Sequence, residues 1–369
     1  MSYLFIFILL LPFKLIGKLF YKKTGRNLMI QTAKIGDFVN VTPLLAHLKH
    51  SDVLISKTVL PLAKNDETID TIFLIEEHKK SLWGKFRLAF KLMNRYENVY
   101  LLQPNSTNLF FAAACNAANK QFLSTYTRRW YHGLFYWTAS GAVEHSKDQL
   151  TVDDYLKLAD RNLTWRDSPK HATFPLRKPK AYPTELDKQN VIKIGLSISA
   201  GNKSKTIPPI IWKKIFKTLA NLNCNYYIFG PKNEQVWLDD LYREIDEQDN
   251  IISLIGKLPL EDVPFAISKM DFYIASDSGN VYIADAVGVP IILIYGPCCI
   301  AEQRPLGEVL LLGNKKHEKS YIFAAPYFFD SPREEMFALS DENLLEIYQF
   351  ISNSVETNNS KLENSKYLE

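Results

Sequence analysis

Residues 271–296 read DFYIASDSGNVYIADAVGVPIILIYG. Asp271–Ser276 and Pro290–Gly296 are short apolar runs with the pattern of strands, and Val281–Val287 between them fits a helix. Short apolar strands separated by helices imply a parallel sheet covered on both faces. The alternation continues upstream, with strands at Val191–Ser197, Asn225–Gly230 and Ile251–Gly256 and helices over Ile210–Asn221, Glu234–Glu247 and Leu260–Lys269. In the first half the pattern predicts strands at Asn27–Thr32, Asp70–Glu76 and Asn98–Gln103. The helices expected there cover Phe38–Lys49, Leu82–Asn94 and Asn108–Asn119. Arg166–Asn190 carries Pro169, Pro175, Pro179 and Pro183 among many charges and reads as a linker. The sequence therefore predicts an α/β chain of two doubly wound domains facing a central cleft. The first spans 24–165 and the second 191–345, with ligands expected at the carboxyl ends of the strands. Residues 352–369 read as a polar tail.

The composition sets bounds on function. With 369 residues, 47% hydrophobic and 23% charged, the chain is neither disordered nor fibrous. Four Cys exclude a disulfide-stapled scaffold, and the seven His form no close pair at ligand spacing, so no metal is expected. The net charge of +4 is uneven. Residues 1–50 hold seven Lys/Arg against Asp37, which leaves the rest of the chain at −2. A near-neutral body argues against nucleic acid as a partner.

Residues 1–13, MSYLFIFILLLPF, carry no side-chain charge, and Lys14, Lys18 and Lys22 follow at intervals of four. The run is short for a bilayer span and lacks the flanks of a cleaved signal. On a helix the three lysines form one cationic stripe. Residues 1–23 are expected to lie in a membrane interface, the lysines reaching anionic head groups; the other reading is a helix packed on the protein's own core. Lysines on the C-terminal side of the run favour a cytoplasmic body.

Four strand ends could carry chemistry. Lys34-Ile35-Gly36-Asp37 follows the first strand, and Asp37 is either a helix cap or a carboxylate able to take a proton from a hydroxyl. Ser199-Ala200-Gly201-Asn202-Lys203-Ser204-Lys205-Thr206 is a small, basic loop whose amides and Lys205 could hold a phosphate, or simply a solvated loop. Asp277-Ser278-Gly279-Asn280 opens a helix, where Ser278 and the first amides suit an anion. Asp277 would repel a phosphate and is better suited to ordering the turn or bonding a sugar hydroxyl. Glu234, after Gly230-Pro231, could accept bonds from ribose hydroxyls or sit in a helix's first turn. Cys298-Cys299 are read as loop residues, not redox centres.

Together these sites resemble glycosyltransferase family 9, the heptosyltransferase family. MIQTAKIGDFVNVTPLLAHLK (29–49) looks like its opening signature, with Gly36, Asp37 and Pro43. KMDFYIASDSGNVYIADAVGVPIILIYGP (269–297) is similar to its donor-site signature. The likeness runs over residues 27–310. It implies a GT-B fold of two Rossmann-like domains and inverting, metal-independent transfer of a sugar, with no cofactor. The donor would be a nucleotide sugar, usually ADP-heptose, and the acceptor a lipopolysaccharide core or related lipid-linked glycan. By position Asp37 matches the family's base, Lys205 its donor-phosphate lysine and Glu234 its ribose contact. Ser199, Gly201, Asn202 and Asp277 to Asn280 fall in the donor loops. Tyr282 stands where the family usually has His, Ile207 where an aromatic residue is common, and Cys298-Cys299 where Thr-Asp is usual. A nucleotide-sugar epimerase on a similar fold and a catalytically silent family member are the alternative readings.

Overall fold

The computed structural model of the protein describes residues 2–180, 183–188, 190–245, 250–313, 317, 319–324, 329 and 331–366. Met1 of the expected interfacial segment, residues 181, 182 and 189 of the expected linker, 246–247 of the expected helix 234–247 and 367–369 of the expected tail lie outside these.

The chain forms two compact units. The first takes the residues up to Leu176 together with Ala301–Gln303 and Tyr321–Ala324; the second takes Arg177–Ile300, Arg304–Ser320 and the C-terminal residues. The first unit holds strands β1 (Asn27–Ile30), β2 (Ser51–Ile55), β3 (Ile69–Leu74), β4 (Asn98–Leu101), β5 (Asn119–Ser124) and β6 (Gly141–Glu144). Its helices are α1 (Ser2–Leu19), α2 (Ile35–Leu48), α3 (Leu60–Ala63), α4 (Ile75–His78), α5 (Leu82–Leu92), α6 (Ser106–Ala114), α7 (His132–Tyr136) and α8 (Thr151–Lys157). The second unit holds β7 (Ile192–Ser197), β8 (Cys224–Ile228), β9 (Ile251–Ser253), β10 (Phe272–Ala275), β11 (Ile291–Ile294) and β12 (Val309–Leu312). Its helices are α9 (Pro209–Leu219), α10 (Gln235–Glu244), α11 (Val263–Ile267), α12 (Gly279–Ala286), α13 (Arg333–Met336) and α14 (Asp341–Lys366).

Each sheet is parallel throughout. Their orders are β3-β2-β1-β4-β5-β6 and β12-β11-β10-β7-β8-β9. Both trace the same path: three strands wound one way from the centre, then three the other, the Rossmann order. The central strands are buried on both faces, which is why IILI, FYIA and CNYYI are almost wholly apolar or aromatic.

Strands β2, β5, β6 and β12 have no counterpart in the expected elements. β2 follows α2 after only Lys49 and His50, with Lys49 at φ 64, so its apolar residues run on from the helix. The helix expected over Asn108–Asn119 ends at Ala114; Cys115 adopts extended angles and Asn119 opens β5. β6 and β12 are short outer strands. The helix α14 continues to Lys366, through most of the stretch expected as a tail.

The N-terminal segment is a helix with two faces. Ile6, Phe7 and Leu10 are buried in the core of the first unit. Tyr3 packs on Phe110 of α6, Phe7 on Phe135 of α7 and Phe13 on Phe90 of α5. The expected lysine stripe is corrected by the structure. Lys14 Nζ donates to the Cys115 carbonyl (2.7 Å) and to Asn116 Oδ1 (2.8 Å), capping the C-terminal end of α6. Burial pulls its pKa down to about 8. Lys22 lies beyond the end of α1, so only Lys14 and Lys18 share a helical face, and the Lys14 ammonium is spent on α6. Among the described residues no helix is long and apolar enough to cross a membrane.

The chain's returns to the first unit are held by a buried charge network. His145 Nδ1 lies 2.9 Å from Asp154 Oδ2 and its Nε2 2.9 Å from Glu302 Oε1. Tyr126 Oη and the Ile322 amide donate to Glu302, and Lys157 donates to Asp154. Burial alone would lower the His145 pKa, but the two carboxylates raise it above the ordinary imidazole value. A folded pKa above the unfolded one confers stability that is complete below about pH 6.5 and is lost as pH rises through the raised value. The melting temperature of the protein is therefore expected to fall as pH rises above about 6.5, and His145→Gln should remove that dependence. Parallel melting curves of the two proteins check this.

Candidate functional site

In the second unit the winding reverses between β7 and β10, which pair directly from Phe272↔Ile194 to Ala275↔Ser197. Their carboxyl ends therefore release two loops side by side, the place where open α/β sheets take ligands. A close approach sets this junction. A Cβ on Gly195 would stand 2.5 Å from the Tyr273 ring, so the glycine lets Tyr273 lie across β7. The Tyr273 hydroxyl then reaches Ser197 Oγ at 2.8 Å, with Asn280 beside it.

The loop after β7 closes on itself. Asn202 Oδ1 accepts from the Ser204 amide, the Asn202 carbonyl from the Lys205 amide, and Thr206 Oγ1 from the Ala200 amide. Gly201 sits exposed at its tip. Lys205 is thereby aimed at the loop after β10, where its Nζ donates to Asp277 Oδ2 at 2.6 Å. Ser276 Oγ fastens the same junction by donating to the Lys205 carbonyl at 2.6 Å. Tyr282 Oη, one turn into α12, donates to Asp277 Oδ1 at 2.6 Å. Burial would raise the Asp277 pKa, but Lys205, with Tyr282 and Cys298, holds it below the usual carboxylate value. The Cys298 thiol, buried against Asp277, is pushed well above its ordinary value.

Ser278 is the N-cap residue of α12, yet its hydroxyl makes no capping bond. That buried oxygen has no partner among the described residues, and neither has Ser204 Oγ. Gly279 and Asn280 start the helix, two residues before the expected Val281. The first amides of a helix, an orphaned serine hydroxyl and an ammonium group are the kinds of donor that could hold an anion. Glu234 approaches from the β8 end. A Cβ on Gly230 would come within 2.5 Å of Glu234 Oε2, so the glycine leaves room for the carboxylate to fold back over the chain. Burial pushes the Glu234 pKa up, and the neighbouring Ser199 hydroxyl opposes that shift.

The first unit reverses its winding between β1 and β4. Here α2 starts at Ile35, so Asp37 occupies the third helical position, not the turn. Asp37 Oδ2 accepts from the Lys34 amide at 3.3 Å in a capping-box arrangement. Gln31 Oε1 accepts from the Ala33 amide (2.7 Å), Ser56 Oγ donates to the Ala33 carbonyl (3.0 Å), and Thr32 Oγ1 meets Asn108 Oδ1 (3.0 Å). Burial, and then the charge of Asp37, push the Tyr155 hydroxyl far above its ordinary value, which puts Tyr155 within electrostatic reach of Asp37. Among the described residues no group of three or more His, Cys, Asp or Glu could hold a metal ion.

The model of glycosyltransferase family 9 (heptosyltransferase) matches residues 86–320. The chain belongs to that family. The matched span includes Lys205, Glu234 and Asp277 to Asn280, while Asp37 lies upstream of it. No curated protein matches the chain in sequence. Solved structures match in fold. A family 9 glycosyltransferase from Veillonella parvula is 18% identical, with 79% of this chain and 86% of that one covered and a TM-score of 0.65. ADP-heptose lps heptosyltransferase II of E. coli is 17% identical, with 90% and 99% covered and a TM-score of 0.65. E. coli heptosyltransferase WaaC with ADP-2-deoxy-2-fluoro heptose is 16% identical, with 89% and 99% covered and a TM-score of 0.61. The fold of this family 9 member is accordingly GT-B.

Nothing in the sequence singles out Ser276, Tyr273 or Tyr155, because each acts on a residue distant in the chain: Lys205, Ser197 and Asp37. Removing the Lys205 ammonium should leave only Tyr282 and Cys298 to oppose the burial of Asp277. Lys205→Met is expected to raise the Asp277 pKa and to cost roughly 1–3 kcal/mol of stability at neutral pH. Carboxyl-carbon NMR titration and denaturant unfolding measure the two effects.

Proposed function

We propose that this family 9 protein is an inverting, metal-independent heptosyltransferase. It moves a heptose from ADP-heptose to a hydroxyl of a lipopolysaccharide core or related lipid-linked glycan, at the cytoplasmic face of the inner membrane. The observation that carries the reading is the anion seat: Lys205 aimed by Asp277, beside the orphaned Ser278 hydroxyl at the start of α12. Solved structures of the E. coli heptosyltransferase WaaC contain ADP or ADP-2-deoxy-2-fluoro heptose, ligands whose diphosphate such a seat would hold.

Each group then has a task. The donor diphosphate lies on the first amides of α12 with Ser278 and Lys205, and Ser199, Gly201 and Asn202 shape the loop above it. Glu234 takes the ribose hydroxyls. Asp277 would repel a phosphate, so it orders Lys205 and accepts from a sugar hydroxyl. Asp37 takes the proton from the acceptor hydroxyl as its oxygen bonds to the anomeric carbon. The bond from that carbon to the diphosphate oxygen breaks on the opposite face, and its electron pair leaves with ADP. Lys205 and the α12 amides stabilise the charge that develops there. Tyr282 replaces the usual imidazole with a neutral donor to Asp277, leaving Lys205 as the cation on that carboxylate.

A thermal-shift panel of ADP-, GDP- and UDP-sugars tests the donor, with ADP-heptose expected to give the largest rise. If none of these nucleotides raises the melting temperature, the transferase reading falls. Asp37→Ala should retain the ADP-heptose shift and lose transfer by roughly 10²–10⁴-fold. Unchanged turnover in that variant removes Asp37 from the mechanism.

A further inference from the structure

Three helices of the first unit turn apolar side chains outward around a common packing centre. α1 touches α5 through Phe13 and Phe90 and α7 through Phe7 and Phe135. On α1, Phe5, Ile8, Leu9, Phe13 and Ile16 are exposed. On and beside α5 and α7 the exposed side chains include Trp83 (76%), Trp130 (80%) and Trp137 (85%). Tryptophans this open are costly in water and suit a boundary that is apolar on one side and wet on the other.

The charge around them is mainly positive, although Glu77 of α4 is exposed and acts on His78 together with Arg87 and Lys91. Residues 1–36, 78–96 and 98–143, which contain all three helices, include no Asp or Glu. Lys18, Lys22, Arg87, Lys91, Arg128 and Arg129 are exposed in these same segments. An apolar, aromatic surface fringed mainly by cations complements a bilayer rich in anionic lipid.

We infer that α1, α5 and α7 together form a docking surface for an anionic lipid bilayer, with Trp83 and Trp137 entering the interface beside α1. This deepens the membrane part of the reading above, which placed the contact in residues 1–23 alone. It is tested without donor or acceptor, so its failure leaves the transferase reading standing.

The test is co-sedimentation of the full chain with phosphatidylcholine vesicles that either contain or lack phosphatidylglycerol. Binding is expected to the anionic vesicles only, to weaken as salt is raised, and to shift tryptophan emission to the blue. The double variant Trp83→Ser/Trp137→Ser changes only exposed side chains and keeps α1 intact. It should bind about tenfold more weakly or worse, with an unchanged melting temperature. Lys18→Glu/Arg87→Glu should abolish the preference for phosphatidylglycerol. Three results overturn the inference: no binding to anionic vesicles, wild-type binding by the double tryptophan variant, or a dimer in light scattering that the tryptophan changes dissociate. The last would mean that a second copy of the chain covers the surface.

Discussion

The 2.6 Å contact between Lys205 and Asp277 joins residues 72 apart in sequence, and it depends on one topological fact. β7 and β10 are neighbours because the chain winds three strands to one side and then returns to the centre. Their register brings Ser197 beside Ala275, so the next residues of both strands leave the sheet together. Gly195 admits the Tyr273 ring, Tyr273 reaches Ser197, and Ser276 binds the backbone of Lys205. A shift of either strand by one residue would turn alternate side chains to the opposite face and dissolve all of these contacts at once. The ion pair is thus a consequence of sheet register, and it holds the helix start at Gly279 against the loop that supplies the cation.

The first unit has the same topology but a different chemistry at the corresponding place. Its two central strands, β1 and β4, are joined by neutral partners, Thr32 with Gln103 and Asn108. The carboxylate there, Asp37, is already inside the first turn of α2, with Lys34 at the N-cap. Negative charge near a helix N-terminus is favourable, so the sequence can place Asp37 there at little cost to stability. A phosphate would compete with that carboxylate in the first unit but meets a cation and an orphaned serine hydroxyl in the second. One fold used twice therefore carries a part-buried ion pair at one strand junction and a capping carboxylate at the other.

How much of this could be read from the sequence follows from what each residue contacts. The strands of the second unit are legible because full burial leaves few polar residues in them, as in VIKIGLS and PIILIYG. β5, NKQFLS, is not, because its alternating polar residues and the preceding alanine-rich helix blur the boundary at Cys115. Asp37, Lys205, Glu234 and Asp277 stand out as charges just past a strand. Ser276 and Tyr273 do not, since their task appears only once β7 and β10 are known to be adjacent. Asp37 was legible as a carboxylate at a helix start, but its place in the capping box depends on α2 beginning three residues earlier than the apolar pattern suggests.

Lys14 shows the same limit from the opposite direction. Spacing alone groups it with Lys18 and Lys22, whereas the fold turns it inward to the carbonyl at the end of α6, where Lys120 also donates to Cys115. Burial lowers the two ammonium groups to about 8 and about 7, with the charge of Lys18 opposing both and that of Lys14 opposing Lys120. Seating α1 therefore carries an electrostatic penalty near neutral pH that the hydrogen bonds to Cys115 and Asn116 only partly offset. The apolar contacts of Ile6, Phe7 and Leu10 must supply the remainder, at roughly 1.5–3 kcal/mol for each side chain fully buried. That demand accounts for the inner face of the uncharged N-terminal run. It leaves the outer face, with Phe5, Ile8, Leu9 and Ile16 in solvent, unexplained by the unit's own packing, so the apolar character of that face has to answer to something outside the unit.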